Sequence, residues 1–291
     1  MIALLWILSI VLVLYLTFVG VAAFVSIRPI RVPHFISPAQ LGLPQEDMEI
    51  KHGDFTLRGW WVEHPQPKLI VLGLHGYICN RSELAPYALP FYRDGYSSLY
   101  VDFRAHGRSS GSNVTFGHKE REDVKEMVAW AKRRQPGVPV VLFGSSMGAA
   151  AAALAAGDDP DLADVFIFDG VYRTLGEASA GWWDMMGGRW MKIMLLPTIW
   201  LGRLLLGFAP ESVSVEKALM KICGKPVLLL NGTADPLVRT ASVEANLRAC
   251  GGEIVWFEDA GHGHGRFKDP ERFEESVVSF LRKVSADDQT A

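Results

Sequence analysis

Short apolar runs stopped by glycine, aspartate or serine recur along most of the chain. "KLIVLGLHG", "SSLYVDF", "VPVVLFGS", "DVFIFDG", "KPVLLLNG" and "EIVWFEDA" each have the form expected of a strand buried on both faces. Ahead of them, "MEIKHGDFTLRGWWVEH" reads as an antiparallel hairpin turning at His52-Gly53-Asp54. Helix-like stretches fall between the runs, over 82–93, 119–134, 146–156, 240–250 and 270–284. The order is β-β-β-α-β-α-β-α-β, a long insertion, then β-α-β-α. That alternation predicts an α/β fold with a mostly parallel central sheet and flanking helices.

Two segments break the pattern. From Ile2 to Ile27 there is no charged residue, and Leu, Ile, Val, Phe and Ala dominate. About 20 apolar residues cross a ~30 Å hydrocarbon core as a helix, so residues 1–27 are expected to form a transmembrane anchor. A cleaved leader is the alternative, with "GVAAFVS" as its cleavage region, but a leader has a shorter apolar part preceded by positive charge. A buried core helix is the third reading. Arg28 and Arg31 follow the span, and the positive-inside bias then puts the catalytic domain in the cytoplasm. A proline-bearing linker, 28–47, leads to one domain over 48–285, whose own core is expected to need no part of the span, and then to a tail, 286–291. The second exception is the insertion over about 171–223, crowded with Trp, Met and Leu. It is too short for a lid domain and is expected to form a cap of two or three helices.

Composition narrows the function. The chain of 291 residues is 49% hydrophobic with a formal net charge of −3. With no run of like charge, nucleic acid is excluded as an expected partner. Cys79, Cys223 and Cys250 have no metal-ligand spacing and read as reduced thiols. Asn80, Asn113 and Asn231 head N-x-S/T tripeptides, two of them beside the expected active site, where a glycan would obstruct it.

The chemistry is carried by Gly144-Ser145-Ser146-Met147-Gly148, which follows an apolar run and opens an alanine-rich helix. That is the context of a nucleophile elbow, with glycines two residues either side of Ser146 where strand and helix nearly touch. With "LHGY", "DFRAHGRSSG", "NGTADPLV" and "DAGHGHG" in this order, the chain from Met48 to Val284 resembles the α/β-hydrolase superfamily, among its serine esterase, lipase and lysophospholipase-like members with a short cap. The resemblance implies a serine nucleophile, Ser146, then an acid, Asp235, and a histidine, His262. A serine hydroxyl needs such a histidine to take its proton, and the histidine a carboxylate to orient it. Asp169 is the rival acid, because some relatives draw the carboxylate from that strand; Asp259 lies too near His262 in sequence. His264 is the rival histidine, read as a rim residue because "AGH" matches the family pattern.

The oxyanion hole implied is the backbone N–H of Met147, at the start of the helix, with that of Tyr77 after His75-Gly76. His75 and the turn of Asp102, Arg104, His106 and Gly107 are read as structural. No metal or organic cofactor is implied. The expected activity is hydrolysis of a small-molecule carboxylic ester, acyl or lipid-like in view of the apolar cap, through an acyl-serine intermediate. A serine peptidase or amidase on the same triad is the enzymatic alternative, and a non-catalytic hydrolase-like binding protein the other.

Overall fold

The computed structural model describes residues 1–287. It opens with α1 (Ile2–Ser26), the one helix among the described residues long and apolar enough to cross a membrane. The expected hairpin is β1 (Glu46–His52) and β2 (Phe55–Val62), in antiparallel register from Glu46↔Trp61 to His52↔Phe55. There follow β3 (Leu69–Leu74), α2 (Ala88–Arg93), β4 (Tyr96–Asp102), α3 (Glu120–Arg134), β5 (Val140–Ser145), α4 (Met147–Asp158) and β6 (Val165–Asp169). The insertion gives α5 (Leu175–Leu206) and α6 (Val215–Leu219). Then come β7 (Val227–Gly232), α7 (Thr240–Cys250), β8 (Glu253–Phe257), the one-turn α8 (Gly265–Lys268) and α9 (Pro270–Asp287). Of the expected tail, Ala286 and Asp287 finish α9, and 288–291 lie outside the described residues.

All eight strands form one sheet in the order β1-β2-β4-β3-β5-β6-β7-β8. β3 through β8 are mutually parallel, while β2 runs antiparallel to both its neighbours. Chain order reverses direction at β3, so the carboxyl ends of β3 and β5 flank a crevice of the kind where α/β sheets take ligands. Every residue of β3, β4, β5, β6 and β7 is buried, which is why these runs show no alternation. One face is covered by Val124, Met127 and the alanines 149–153 of α3 and α4, the other by Phe91, Phe273, Val277 and Leu281 of α2 and α9.

Two expectations need correction, the helix over 82–93 and the independence of the domain core from residues 1–27. The helix expected over 82–93 is only a 3-10 turn, Ala85–Tyr87, and α2. Side chains capture the backbone before it: Asn80 Oδ1 accepts from Ser82 N–H and Glu83 Oε2 from Gly76 N–H. The long α5 is broken at Gly187 and Gly188, whose φ values are −157° and 69°. The segment over 28–47 is strapped onto the domain, because Arg31 donates to the carbonyls of His106, Gly107, Ser109 and Gly111. Asn80 Nδ2 holds it further by donating to the carbonyls of Val32 and Pro33. Finally, the domain does use the segment expected to span, since Val19, Ala23 and Ile27 are buried.

Candidate active site

Ser146 stands alone between β5 and α4 with φ 48° and ψ −108°. Such a conformation costs a non-glycine residue about 1–3 kcal/mol. Its surroundings enforce it: Ser146 N–H donates to the Asp169 carbonyl at 2.7 Å. A Cβ at Gly144 would come within 2.5 Å of the Ala149 backbone, and one at Gly148 would overlap the Leu74 carbonyl oxygen. Strand and helix are therefore packed backbone to backbone around the serine, which projects at the carboxyl edge of the sheet.

The structure brings Ser146, His262 and Asp235 together. Ser146 Oγ lies 2.8 Å from His262 Nε2, and His262 Nδ1 lies 2.8 Å from Asp235 Oδ2. The other carboxylate oxygen, Oδ1, accepts from Leu237 N–H and Val238 N–H, both at 2.8 Å. A carboxylate only accepts, so Nδ1 carries the proton and Nε2 is left bare toward the serine hydroxyl. Met147 opens α4, where first-turn N–H groups lack an intrahelical acceptor, and Tyr77 follows the end of β3. Both line the same cavity as Ser146 and His262.

The rivals are placed elsewhere. Asp169 Oδ2 accepts from Arg266 Nη2 at 2.6 Å, and burial pushes its carboxyl up against the pull of Arg266 and His262. Asp259 is exposed and faces Lys268 at 3.7 Å. His264 is exposed at the cavity rim, edge-on to Phe267. His75 is structural in geometry: Nδ1–H donates to the Gly76 carbonyl and Nε2 accepts from Phe103 N–H. Asp102 accepts from Arg81 N–H and Arg108 N–H at the turn, and a Cβ on Gly107 would overlap its carboxylate. Asn80 and Asn231 are themselves buried. All three cysteines are free. Among the described residues no group of three or more His, Cys, Asp or Glu could hold a metal ion.

Sequence reasoning missed a buried charge network under the elbow. Glu83 Oε1 accepts from Ser145 Oγ and Arg266 Nη1, both at 2.8 Å, while its Oε2 accepts from Gly76 N–H at 2.6 Å. Arg266 also reaches Ser145 Oγ and Asp169. Burial opposes charge on Glu83, but Arg266, Gly76 N–H and Ser145 outweigh it and hold the carboxyl below its ordinary range. Nothing local marks these residues, which pair across 183 positions. The network ties the loop bearing Tyr77, the elbow and the segment after His262 to one another.

Above Ser146 is a cavity of about 440 Å³. The cap contributes Trp182, Trp183, Ile199, Leu206 and Phe208 to its wall, and α1 with its C-cap residue Ile27 contributes Ala23, Ser26 and Ile27. Tyr77 is pinned to α1 by its hydroxyl, which donates to the Ser26 carbonyl at 2.7 Å, and its ring meets Trp182 edge-on.

With this elbow on this sheet, the chain has the α/β-hydrolase fold, and its similarities support the esterase and lipase superfamily. Residues 65–205 match the family model described as serine aminopeptidase, S33. The chain is similar to the uncharacterized protein YqkD of Bacillus subtilis (strain 168), 27% identical over 237 residues covering 79% of this chain and 77% of that protein. It is also similar to the monoglyceride lipase homolog of monkeypox virus, 36% identical over 120 residues, 38% of this chain and 40% of that protein. Among solved structures, the Pyrococcus furiosus esterase Pf2001 superposes with a TM-score of 0.74 at 27% identity, covering 89% of this chain and 98% of its own.

Proposed function

We propose that this protein is a membrane-anchored serine hydrolase that cleaves carboxylic esters with an acyl or lipid-like part through an acyl-serine intermediate. The observation that carries the reading is the Ser146–His262–Asp235 relay at the floor of an apolar cavity. Ser146 Oγ attacks the ester carbonyl as its proton passes to His262 Nε2. Asp235 holds the imidazolium that forms. The carbonyl oxygen becomes an oxyanion against the N–H groups of Tyr77 and Met147, each worth on the order of 3 kcal/mol in such sites. His262 then returns the proton to the leaving alcohol, and water repeats the cycle on the acyl-serine. The hydrophobic wall suits an acyl chain, and the resemblance to an esterase and to a monoglyceride lipase homolog supports an ester as substrate.

The family model's description favours a second reading, an aminopeptidase. A substrate ammonium needs a free carboxylate. Glu83 is the sole carboxylate among the described residues lining the cavity, and it is already bound by Arg266, Ser145 and Gly76. Ester cleavage is therefore the better fit. The domain is proposed to face the cytoplasm on the strength of Arg28 and Arg31.

A fluorophosphonate probe and a panel of esters, thioesters and aminoacyl amides test the reading on the full-length protein. Wild type should label and turn over esters fastest. Ser146→Ala should lose labelling and about 10³-fold or more in turnover while remaining folded. Preferred turnover of amides would install the peptidase reading, and an unlabelled wild type would leave a binding protein. An impermeant thiol reagent that reaches a cysteine in place of Ser112 in intact cells would reverse the sidedness.

A further inference from the structure

Covered positions on α1 begin at Tyr15 and recur at Val19, Ala23 and Ile27, one stripe at helical spacing. Tyr15 Oη donates to the Met194 carbonyl of α5 at 2.9 Å. Every residue from Ile2 to Leu14 is exposed. That free part of the helix is only about 20 Å long at 1.5 Å per residue, short of the ~30 Å hydrocarbon core. A span of about 20 residues from Ile2 would end near Val21, roughly 9 Å beyond Tyr15 along the axis. Whatever touches Tyr15 is then drawn below the membrane surface, and tilting of α1 draws it deeper.

What touches it is the second segment of α5, from Arg189 to Leu206. Its inner face is ordinary, with Leu195 and Thr198 buried and Ile199 and Leu206 lining the cavity. The outer face should be polar if it met water. Instead Trp190, Ile193, Pro197, Trp200 and Leu204, spaced three or four apart, are all exposed. Trp190, Trp200 and Leu204 are each more than 70% exposed, at 79%, 73% and 79%. Arg189, Lys192 and Arg203 fall together on one flank, where cations meet anionic headgroups.

Resting on the reading of α1 as an anchor, we propose that the outer face of this cap segment lies within the leaflet that α1 enters, with Trp190, Ile193, Trp200 and Leu204 among the upper acyl methylenes. An immersion of ~9 Å is within the depth at which in-plane amphipathic helices settle. Two observations agree on it independently: the length of α1 left above its contact, and an apolar outer face on a helix already buried on its inner one. The same two helices wall the cavity through Ala23, Ser26, Ile27, Ile199 and Leu206, so an acyl chain can pass from the leaflet to Ser146 between apolar side chains.

The test uses the full-length protein in phosphatidylcholine vesicles containing a minority of phosphatidylglycerol, with the exposed Cys223 replaced by serine. An environment-sensitive fluorophore is attached at Leu204→Cys or, in a second preparation, at Val11→Cys. The Leu204 label should be quenched more by nitroxides near the top of the lipid chain than by nitroxides near its end, and the Val11 label the reverse. Quenching of the Leu204 label by aqueous iodide alone overturns the proposal while a deep Val11 label leaves the anchor standing. Emission from a dry site that lipid nitroxides do not quench, rising with protein-to-lipid ratio, assigns the face to a second copy and overturns it too. If the Val11 label also reports water, the proposal falls with the anchor. Trp200→Glu combined with Leu204→Glu, neither lining the cavity, should slow hydrolysis of vesicle-borne esters about tenfold or more and leave soluble short-chain esters unchanged. Equal vesicle rates would overturn it.

Discussion

At the scale of single residues, the proposed relay of Ser146, His262 and Asp235 would account for proton movement but not for how its parts keep their positions. Glu83 does that by binding three groups at once, and Arg266 balances its charge. Removing one member of a buried ion pair leaves the other uncompensated, typically at a cost of about 3–5 kcal/mol. Glu83→Gln is the informative change because it keeps the shape and an acceptor for Gly76 N–H while discharging the centre. We expect kcat on a soluble ester to fall about 10- to 100-fold, the range of one lost charge-assisted contact in a preorganised site, with KM little changed. Glu83→Ala should lose folding stability as well. A Glu83→Gln enzyme with unaltered kcat and a lowered thermal midpoint would make the network structural only.

At the scale of elements, much of this was legible because strands buried on both faces write their pattern locally. The apolar runs ended by Gly, Asp or Ser located all the parallel strands, and the elbow announced itself by glycines that only a backbone contact requires. What could not be read was pairing across distance. Glu83, inside a stretch with helical spacing, looks like any solvated charge until Arg266 is folded against it, and Arg31 looks like a topology signal until the carbonyls of 106–111 surround it. The same blindness made the span look separable. Its last turns wall the cavity, hold Tyr77 through the Ser26 carbonyl and accept Val114 N–H at the Ile27 carbonyl. Two truncations should therefore differ. In detergent, removing residues 2–14 should leave short-ester kcat/KM intact, whereas removing 2–27 should lower it about tenfold, the equivalent of one or two lost hydrogen bonds, and lower the thermal midpoint. Equal activities would return α1 to a simple tether.

At the scale of the whole molecule, two buried imidazoles beneath the site tie stability to pH. His75 and His106 meet edge-on with ring centroids 4.9 Å apart. Burial holds the His75 ring below its ordinary value and pushes His106 down to about 3. His75 uses Nε2 to accept from Phe103 N–H, so a proton there would break the bond; His106 Nε2 is buried without a partner among the described residues. In the unfolded chain both take up a proton near 6.5. Folded values below the unfolded ones mean that the stabilisation is complete above that pH and is lost as pH falls, for His106 down to about 3. Asp102, held near 2 because its hydrogen bonds and neighbouring charges outweigh burial, adds its own loss only below its ordinary 3.8. Denaturant midpoints measured in detergent should therefore decline as pH drops from 6.5 to about 5.5, above the range in which ordinary carboxylates titrate. Each buried histidine steepens the slope by up to about 1.4 kcal/mol per pH unit. His106→Asn, whose amide can still donate to the Arg104 carbonyl that Nδ1 reaches at 2.9 Å, should flatten that slope by roughly one histidine's share. A profile unchanged by the substitution would mean that His106 is not held neutral by the fold.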